Sequence, residues 1–263
     1  MDTKVLSSGI PYSNLPESYI RPESERPRLK EVVVCEDIPV IDLGLEDRSK
    51  VVQKIGLACK NYGFFQRLFT TGGTILDSFA TLLTSICLNG LLIRLVSKSL
   101  GLEKDYIRKT SGEQGQHMAV NYYPPCPEPE LTYGLPAHTD PNTLTILLQD
   151  TQVAGLQVLK EGKWIAVNPQ PNAFVINIGD QLQALSNGRY KSVWHRAVVN
   201  SDKARMSVAS FLCPCDDALI SASKSLVEDG SDAVYRDFTY PEYYKKFWSR
   251  NLDQEHCLEL FKN

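Results

Sequence analysis

The stretch "AHTDPNTLTILLQD", residues 137–150, places a histidine and an aspartate two positions apart, directly before a run of apolar and β-branched residues. Because side chains alternate between the two faces of an extended chain, we expect His138 and Asp140 to face one way and Thr139 the other. A nitrogen and an oxygen ligand that converge on one point suit a divalent metal, although a stable site needs a third ligand. The stretch therefore predicts a metal site at the mouth of a β-strand.

Similar β-rich runs surround this stretch from residue 118 onward and alternate with Pro, Gly and Asn turns. They are MAVNYYP, LTILLQD, GLQVLKEGKWIAVN, AFVINIGDQLQAL, SVWHRAVVN and MSVASFLCP. Glu161 and Gly162 lie between two strand-like runs and predict a hairpin turn. Many short strands at this spacing favour a β-sandwich or barrel, including the jelly-roll type, with helices at its flanks.

Helical patterns flank the β-rich region on both sides. Apolar residues recur at helical spacing from Glu46 to Tyr62, and Gly63 is suited to end that helix. The tail, residues 240–261, returns to helical spacing and is expected to brace the barrel. Residues 1–37 are rich in Pro, Ser and Glu and predict an arm on the surface, followed by a short strand.

We expect one domain over residues 1–263. Its first part, residues 1–97, contains the arm, the helix and an unusually apolar segment, and residues 98–263 contain the β-rich core and the C-terminal helix. The longest uncharged run of that segment, Ser78–Ile93, is shorter than the ~20 apolar residues that a bilayer span needs. A helix outside the membrane is therefore favoured for it.

The overall composition points to small-molecule partners. A formal charge of −3 gives no electrostatic reason to expect nucleic acid or an anionic membrane as a partner. The N-terminal residues lack the apolar core of a secretory signal. Seven scattered cysteines without a C-x-x-C pair predict reduced thiols, and hence a cytoplasmic location.

The search for a third metal ligand among the histidines is short, because the chain contains only four and three remain. His195 lies in the strand-like run SVWHRAVVN, whereas His117 and His256 lie in what look like surface segments. Two histidines and one carboxylate form the set that binds Fe(II) on one face and leaves positions open for oxygen and a co-substrate. The sequence thus favours an iron site formed by His138, Asp140 and His195.

An anion-binding pair follows His195 by ten and twelve positions. Arg205 and Ser207 share one face of a strand, and a planar guanidinium beside a hydroxyl suits a carboxylate. Asn121 and Tyr123 share one face of another strand, which Pro124 and Pro125 end. Tyr123 could point its phenol at the same anion.

Taken together, NYYPP, H-T-D, the distant His195 and R-x-S resemble the motifs of the plant 2-oxoglutarate- and Fe(II)-dependent dioxygenases. The resemblance covers about residues 1–65 and 98–263 and implies a double-stranded β-helix, or jelly roll. It assigns iron to His138, Asp140 and His195. It assigns 2-oxoglutarate to the side chains of Arg205, Ser207, Asn121 and Tyr123, and it places Phe211 against the substrate. The implied reaction consumes O₂, converts 2-oxoglutarate to succinate and CO₂, and is stimulated by ascorbate.

Within that family, residues 135–200 and the ending RNLDQEHCLELFKN resemble the downy-mildew-resistance oxygenases, which hydroxylate salicylate. This resemblance implies a small aromatic substrate and suppression of plant immunity. Flavone synthase and anthocyanidin synthase are near relatives, so flavonoid oxidation is an alternative. A second alternative is a variant that binds iron and 2-oxoglutarate without turning over a substrate.

Residues 66–97 depart from the family pattern, which continues after NYGFFQ with a strand, an H-G turn and several long helices. In this chain "RLFTTGGTILDSFATLLTSICLNGLLI" stands in their place. Its leucines, isoleucines and valine crowd a helical stretch on more than one side. We therefore expect exposed apolar surface, a low soluble yield, and slow 2-oxoglutarate decarboxylation that salicylate hardly stimulates.

Overall fold

Two β-sheets form the centre of the computed structural model, which describes residues 13–34, 38–44, 47–68, 86–227, 232–250 and 255–263. The five-stranded sheet contains, in spatial order, β1 (Val33–Val34), β8 (Lys163–Ala166), β7 (Leu156–Lys160), β10 (His195–Ala197) and β5 (Leu135–His138). The six-stranded sheet contains, in spatial order, β2 (Val40–Asp42), β3 (Phe64–Leu68), β9 (Ala173–Ile178), β6 (Leu144–Gln149), β11 (Arg205–Cys213) and β4 (Gly115–Tyr123). A separate pair joins β12 (Leu219–Ile220) to β13 (Phe238–Thr239).

The predicted hairpin at Glu161 and Gly162 is confirmed. It joins β7 to β8, and both turn residues have a positive φ, of 50° and 76°. A common two-residue hairpin turn requires a positive φ at both of its central residues. Glycine adopts this backbone region without steric cost.

Alternating side chains of the six-stranded sheet divide the molecule into layers. Phe174 and Ile176 of β9 pack outward into the large core beneath the helices. Val175, between them, points inward and packs with Val158 and Ile165 of the five-stranded sheet. The inner faces of the two sheets therefore face each other, and the helices cover the outer face of the six-stranded sheet.

The predicted helix near residues 46–62 is observed as α1 (Arg48–Asn61). The side chain of Asp47 accepts a hydrogen bond from the backbone N–H of Ser49, which is a typical N-terminal cap. Gly63 follows the helix with a φ of +66°, and a Cβ there would collide with the carbonyl oxygen of Lys191. Glycine is therefore required at this helix end.

The expectation of exposed apolar surface is wrong for the described part of residues 66–97. Residues 66–68 belong to β3, and α2 (Ile86–Ser99) follows; residues 69–85 lie outside the described residues. From residue 88 onward, the apolar side chains of α2 pack into the large core with α1 and the sheet. Five of them are at most 8% exposed: Leu88, Leu92, Ile93, Leu95 and Val96. A helix held between a second helix and a sheet can bury a wide apolar face, which hydrophobic spacing alone does not indicate.

Three further helices complete the described fold: α3 (Tyr106–Ser111), α4 (Asp180–Leu185) and α5 (Tyr240–Trp248). Only the first half of the run AFVINIGDQLQAL is a strand, because the chain turns at Gly179 and continues as α4. The tail forms α5 and a short 3₁₀ helix, Cys257–Phe261, as its helical spacing predicts. No helix in these ranges is long and apolar enough to cross a bilayer.

Candidate metal centre

Two neighbouring strands bring the predicted metal ligands together. In the ladder between β5 and β10, His138 pairs directly with His195, and their ring centroids lie 4.3 Å apart. The Nε2 atoms of His138 and His195 lie 3.7 and 3.5 Å from Oδ1 of Asp140. One ligand atom from each residue lies within 4.8 Å of the others, and the described ranges contain no other such metal-ligand cluster.

Backbone carbonyls fix the orientation of both imidazole rings. Nδ1 of His138 lies 2.9 Å from the carbonyl oxygen of Pro136, and Nδ1 of His195 lies 3.2 Å from that of Val193. A carbonyl only accepts hydrogen bonds, so each Nδ1 carries the proton and each Nε2 has a free lone pair. The two rings are therefore arranged to bind one cation through Nε2.

Two neutral donors hold the far oxygen of Asp140. Oδ2 accepts hydrogen bonds from Oγ1 of Thr145 at 2.5 Å and from Nδ2 of Asn177 at 2.7 Å. Oδ1 is left to face the two histidines. This arrangement favours a carboxylate that binds a metal through one oxygen and leaves further coordination positions open.

Burial and mutual contact set the protonation states of the cluster. Burial, with a smaller contribution from His195, lowers the pKa of His138 to about 4. Burial also opposes ionisation of Asp140, but the two histidines and Thr145 outweigh it and lower the pKa of this carboxyl below its usual range. Burial likewise disfavours the charged form of His195, yet the Asp140 carboxylate raises its pKa. A neutral His138 and an ionised Asp140 are the forms that bind a divalent cation.

Removing the side-chain amide of Asn177 should weaken metal binding without destroying the site. In Asn177→Ala the Oδ2 atom of Asp140 keeps only Thr145 as a donor, so the carboxylate can rotate. Loss of such a supporting hydrogen bond typically costs about 10–100-fold in metal affinity. Titration of the purified chain with Mn²⁺ in a calorimeter measures the effect. Asn89→Ala removes a buried asparagine from α2 instead, and equal losses in both variants would contradict this role.

The six-stranded sheet supplies the opposite wall of the pocket. In the ladder between β11 and β4, Arg205 pairs with Tyr123 and Ser207 with Asn121. These four residues and Phe211, which lies further along β11, line the same pocket as the metal cluster. Side chains alternate between the two faces of each strand, as the sequence predicts, and all five of these therefore point into the pocket.

Arg205 is a buried cation with unused hydrogen-bonding capacity. Its side chain lies 5.4 Å from the ring of Tyr123, and Nη2 donates to Oε1 of Gln149 at 3.3 Å. Its Nε has no hydrogen-bond partner within the described structure. A buried donor without a partner is costly unless a ligand satisfies it, and a carboxylate is the natural partner of a guanidinium. The residues present therefore fit a carboxylate-bearing co-substrate.

The pocket between the sheets has a cavity volume of about 100 Å³. Apart from the polar groups above, its walls are mainly apolar. They include Phe64, Ala119, Leu135, Leu147, Leu156, Ala197, Ala209 and Phe211. A concave, mainly apolar pocket with a few convergent polar groups is typical of a small-molecule site.

Arg196 also lines this pocket, but each of its three guanidinium nitrogens already donates a hydrogen bond. It donates to Oε1 of Gln157 at 2.8 Å, to the hydroxyl of Tyr133 at 3.2 Å and to the carbonyl oxygen of Pro27 at 2.8 Å. It also lies 3.9 Å from the ring of Trp164. Arg196 thus anchors the N-terminal arm to the strand that contains His195.

The surface position predicted for His117 agrees with the structure, whereas the surface position predicted for His256 is wrong. His117 is an exposed residue of β4. The side chain of His256 is only 15% exposed, and its Nε2 lies 3.5 Å from Oδ1 of the fully buried Asp180. The tail folds back on α4 here, a long-range contact that local sequence does not indicate.

Two facing sheets, a cluster of two histidines and one carboxylate, and a buried arginine across the pocket define an oxygenase that uses a metal and a 2-oxo acid. The family model "2OG-Fe(II) oxygenase superfamily" matches residues 114–214. Flavanone 3-dioxygenase 2 of Oryza sativa subsp. japonica is 50% identical over 98% of this chain and 97% of its own. Protein DOWNY MILDEW RESISTANCE 6 of Arabidopsis thaliana is 50% identical over 100% of both chains. The chain belongs to the 2OG-Fe(II) oxygenase superfamily and is similar to these plant oxygenases.

The solved structures agree with the predicted jelly-roll core. The crystal structure of JOX2 in complex with 2OG, Fe and JA matches 96% of this chain and 95% of its own, with 31% identity and a TM-score of 0.81. The cofactors expected of the family, Fe(II) and 2-oxoglutarate, are therefore those of this chain. The alignments with the two relatives at 50% identity extend over 333 and 340 positions, more than the 263 residues of this chain. Both relatives therefore contain internal residues without a counterpart here.

Proposed function

We propose that this oxygenase oxidises a small aromatic compound, with hydroxylation of salicylate as the first candidate reaction. His138, Asp140 and His195 hold the iron through Nε2, Oδ1 and Nε2. Iron with bound 2-oxoglutarate supplies the oxidising power, because O₂ is consumed as 2-oxoglutarate is converted to succinate and CO₂. By its resemblance to DOWNY MILDEW RESISTANCE 6, the reaction would act on plant immunity.

In this proposal, Arg205 and Ser207 bind the distal carboxylate of 2-oxoglutarate. Asn121 and Tyr123 complete the contact from the neighbouring strand. The supporting observation is the unpartnered Nε of Arg205 in the same pocket as the metal cluster. A carboxylate would satisfy this buried donor and would orient the 2-oxo acid toward the metal cluster.

The substrate would lie against the apolar wall of the pocket. Phe64 and Phe211 offer aromatic faces there, beside Leu147 and Leu156. Such walls exclude water from the reacting atoms and suit a planar aromatic ring. The metal cluster, Arg205 and this apolar wall line one pocket. This combination is the observation that carries the proposal.

Flavonoid oxidation is the second candidate. Its support is the similarity to flavanone 3-dioxygenase 2, which is 50% identical to this chain. A third candidate is a chain that binds iron and 2-oxoglutarate but no longer turns over a substrate, since the relatives contain residues that this chain lacks.

A coupled turnover assay distinguishes the three candidates. Monomeric protein is incubated with Fe(II), ascorbate and 2-oxoglutarate, with salicylate, a flavanone or neither. Succinate and oxidised aromatic products are then quantified by mass spectrometry. Salicylate-dependent succinate with matching hydroxylated salicylate supports the first candidate, and the same result with the flavanone supports the second. Slow succinate release that neither compound stimulates would contradict both and support the third.

Truncating Phe211 should weaken substrate binding specifically. Loss of an aromatic contact of up to ~1.5 kcal/mol corresponds to about a tenfold rise in the KM for the aromatic substrate. The KM for the co-substrate should stay the same in Phe211→Ala, as steady-state kinetics can show. Met206→Ala is the matched control, because Met206 lies on the same strand but is exposed. A rise in the KM for the co-substrate alone would contradict the assignment of Phe211 to the aromatic substrate.

A further inference from the structure

A fully buried carboxylate lies against residues 139–142, here called the metal-binding loop, which follows His138 and contains Asp140. Asp180 is the first residue of α4 and has no exposed surface. Its Oδ2 accepts hydrogen bonds from Oγ1 of Thr139 at 3.0 Å and from the hydroxyl of Tyr243. Thr139 lies between the ligands His138 and Asp140, whereas Tyr243 belongs to the C-terminal helix α5. One oxygen therefore joins two distant parts of the chain.

The contact with the metal-binding loop also involves the backbone. The N–H of Asp180 donates to the carbonyl oxygen of Asp140 at 2.8 Å. Nε2 of Gln181 donates to the carbonyl oxygen of Pro141 at 2.9 Å, and the N–H of Gln181 donates to that of Asn142 at 3.2 Å. The start of α4 thus follows residues 139–142 closely. A displacement of Asp180 would move this loop, which contains the ligand Asp140 and directly follows the ligand His138 at the end of β5.

The contact with the C-terminal segment has two parts. Tyr243 is completely buried and packs against the rings of Phe238 and Phe261, which hold its hydroxyl over Asp180. His256 approaches the other oxygen, with its Nε2 3.5 Å from Oδ1. This Oδ1 has no hydrogen-bond partner in the described ranges, so Tyr243 and Thr139 are the side-chain donors to the buried carboxylate.

We propose that Asp180 is a positioning residue that couples docking of the C-terminal helix to metal binding by His138 and Asp140. The proposal rests on the assignment of these residues to iron under the proposed function. Removing the Tyr243 hydroxyl would leave the buried carboxylate with one fewer donor, and such a group relaxes toward other partners because an unsatisfied buried acceptor is costly. Asp180 would then no longer hold Thr139 and the Asp140 carbonyl at their present distances.

The test uses substitutions that preserve shape. Tyr243→Phe keeps the ring and removes the hydroxyl, and Thr139→Val removes the second donor. The probe is Mn²⁺ alone, titrated into the full chain by calorimetry, and thermal unfolding is measured in parallel. We expect each variant to bind Mn²⁺ about tenfold more weakly, as outer-shell partners of metal ligands typically do. Because both hydroxyls act through Asp180, the double variant should lose less than the product of the two single losses.

Tyr235→Phe is the matched control. Tyr235 is also buried, and its hydroxyl accepts a hydrogen bond from Gln183 of the same helix α4 rather than contacting the Asp180 carboxylate. This variant should lower thermal stability while leaving the Mn²⁺ affinity unchanged. The proposal is overturned if Tyr243→Phe behaves like Tyr235→Phe, or if the double variant shows independent losses.

The Mn²⁺ affinities of the variants can be interpreted whatever the turnover assay shows. Mn²⁺ binding does not depend on which substrate the protein oxidises, so failure of both salicylate and flavanone leaves the comparison valid. Asp140→Ala serves as the reference for binding outside the proposed site. If the unmodified chain bound Mn²⁺ no better than Asp140→Ala, the iron assignment itself would be refuted, and the coupling with it.

Discussion

Asp140→Ala should reduce the bound iron of the purified protein from about one ion per chain to nearly none. The substitution removes the only carboxylate among the three ligands and leaves His138 and His195 as a pair, which is too few for a stable site. It also leaves Thr145 and Asn177 without their shared acceptor. Turnover of 2-oxoglutarate should be lost together with the iron. Elemental analysis after reconstitution with Fe(II), together with succinate release, measures both effects.

Asp202→Ala is the control for this prediction. Asp202 is an exposed carboxylate that accepts a hydrogen bond only from its neighbour Ser201 among the described side chains. Its removal should change neither the iron content nor succinate release. Full iron loading of Asp140→Ala would refute the assignment of this aspartate to the metal.

Arg205→Lys should weaken 2-oxoglutarate binding and leave iron binding intact. Lysine keeps the positive charge but loses the planar fork that can contact both oxygens of a carboxylate. Loss of a hydrogen bond to a charged group costs roughly 1.5–3 kcal/mol, which corresponds to about a 10- to 150-fold higher Kd. The Kd is measured by titrating the Mn²⁺-loaded protein with 2-oxoglutarate.

Arg189→Lys provides the comparison for this second variant. Arg189 is an exposed arginine whose guanidinium donates to the carbonyl oxygen of Leu226, and it does not line the pocket. Its replacement should leave the affinity for 2-oxoglutarate unchanged. Unchanged affinity in Arg205→Lys as well would refute the carboxylate clamp.

Local alternation along strands made much of the site predictable. Arg205 and Ser207 lie on one side of β11, and Asp140, two residues beyond His138 at the end of β5, still faces the same point as that histidine. Sequence alone could indicate this because side-chain direction in a strand has a period of two. Gly63 at the helix end and Gly162 in the hairpin turn were predictable for another local reason, because glycine adopts a positive φ without steric cost.

The supporting residues could not be predicted, because they depend on pairing between distant strands. Thr145 and Asn177 reach Asp140 only through the order of strands in the six-stranded sheet. Their one local signal is a polar side chain inside an otherwise apolar run, as in FVINI. The position of His256 beside Asp180 requires the tail to fold back over α4, and the burial of α2 requires knowledge of its neighbours.

The helices and the pocket lie on opposite faces of the six-stranded sheet. Insertions or deletions among the helices can therefore accumulate during evolution while the strands that carry the pocket residues keep their register. This chain is shorter than its two relatives at 50% identity, and the metal cluster and the arginine still line one pocket. A gene of this architecture can lose or exchange coding sequence for its outer layer and still encode the complete set of side chains at the pocket.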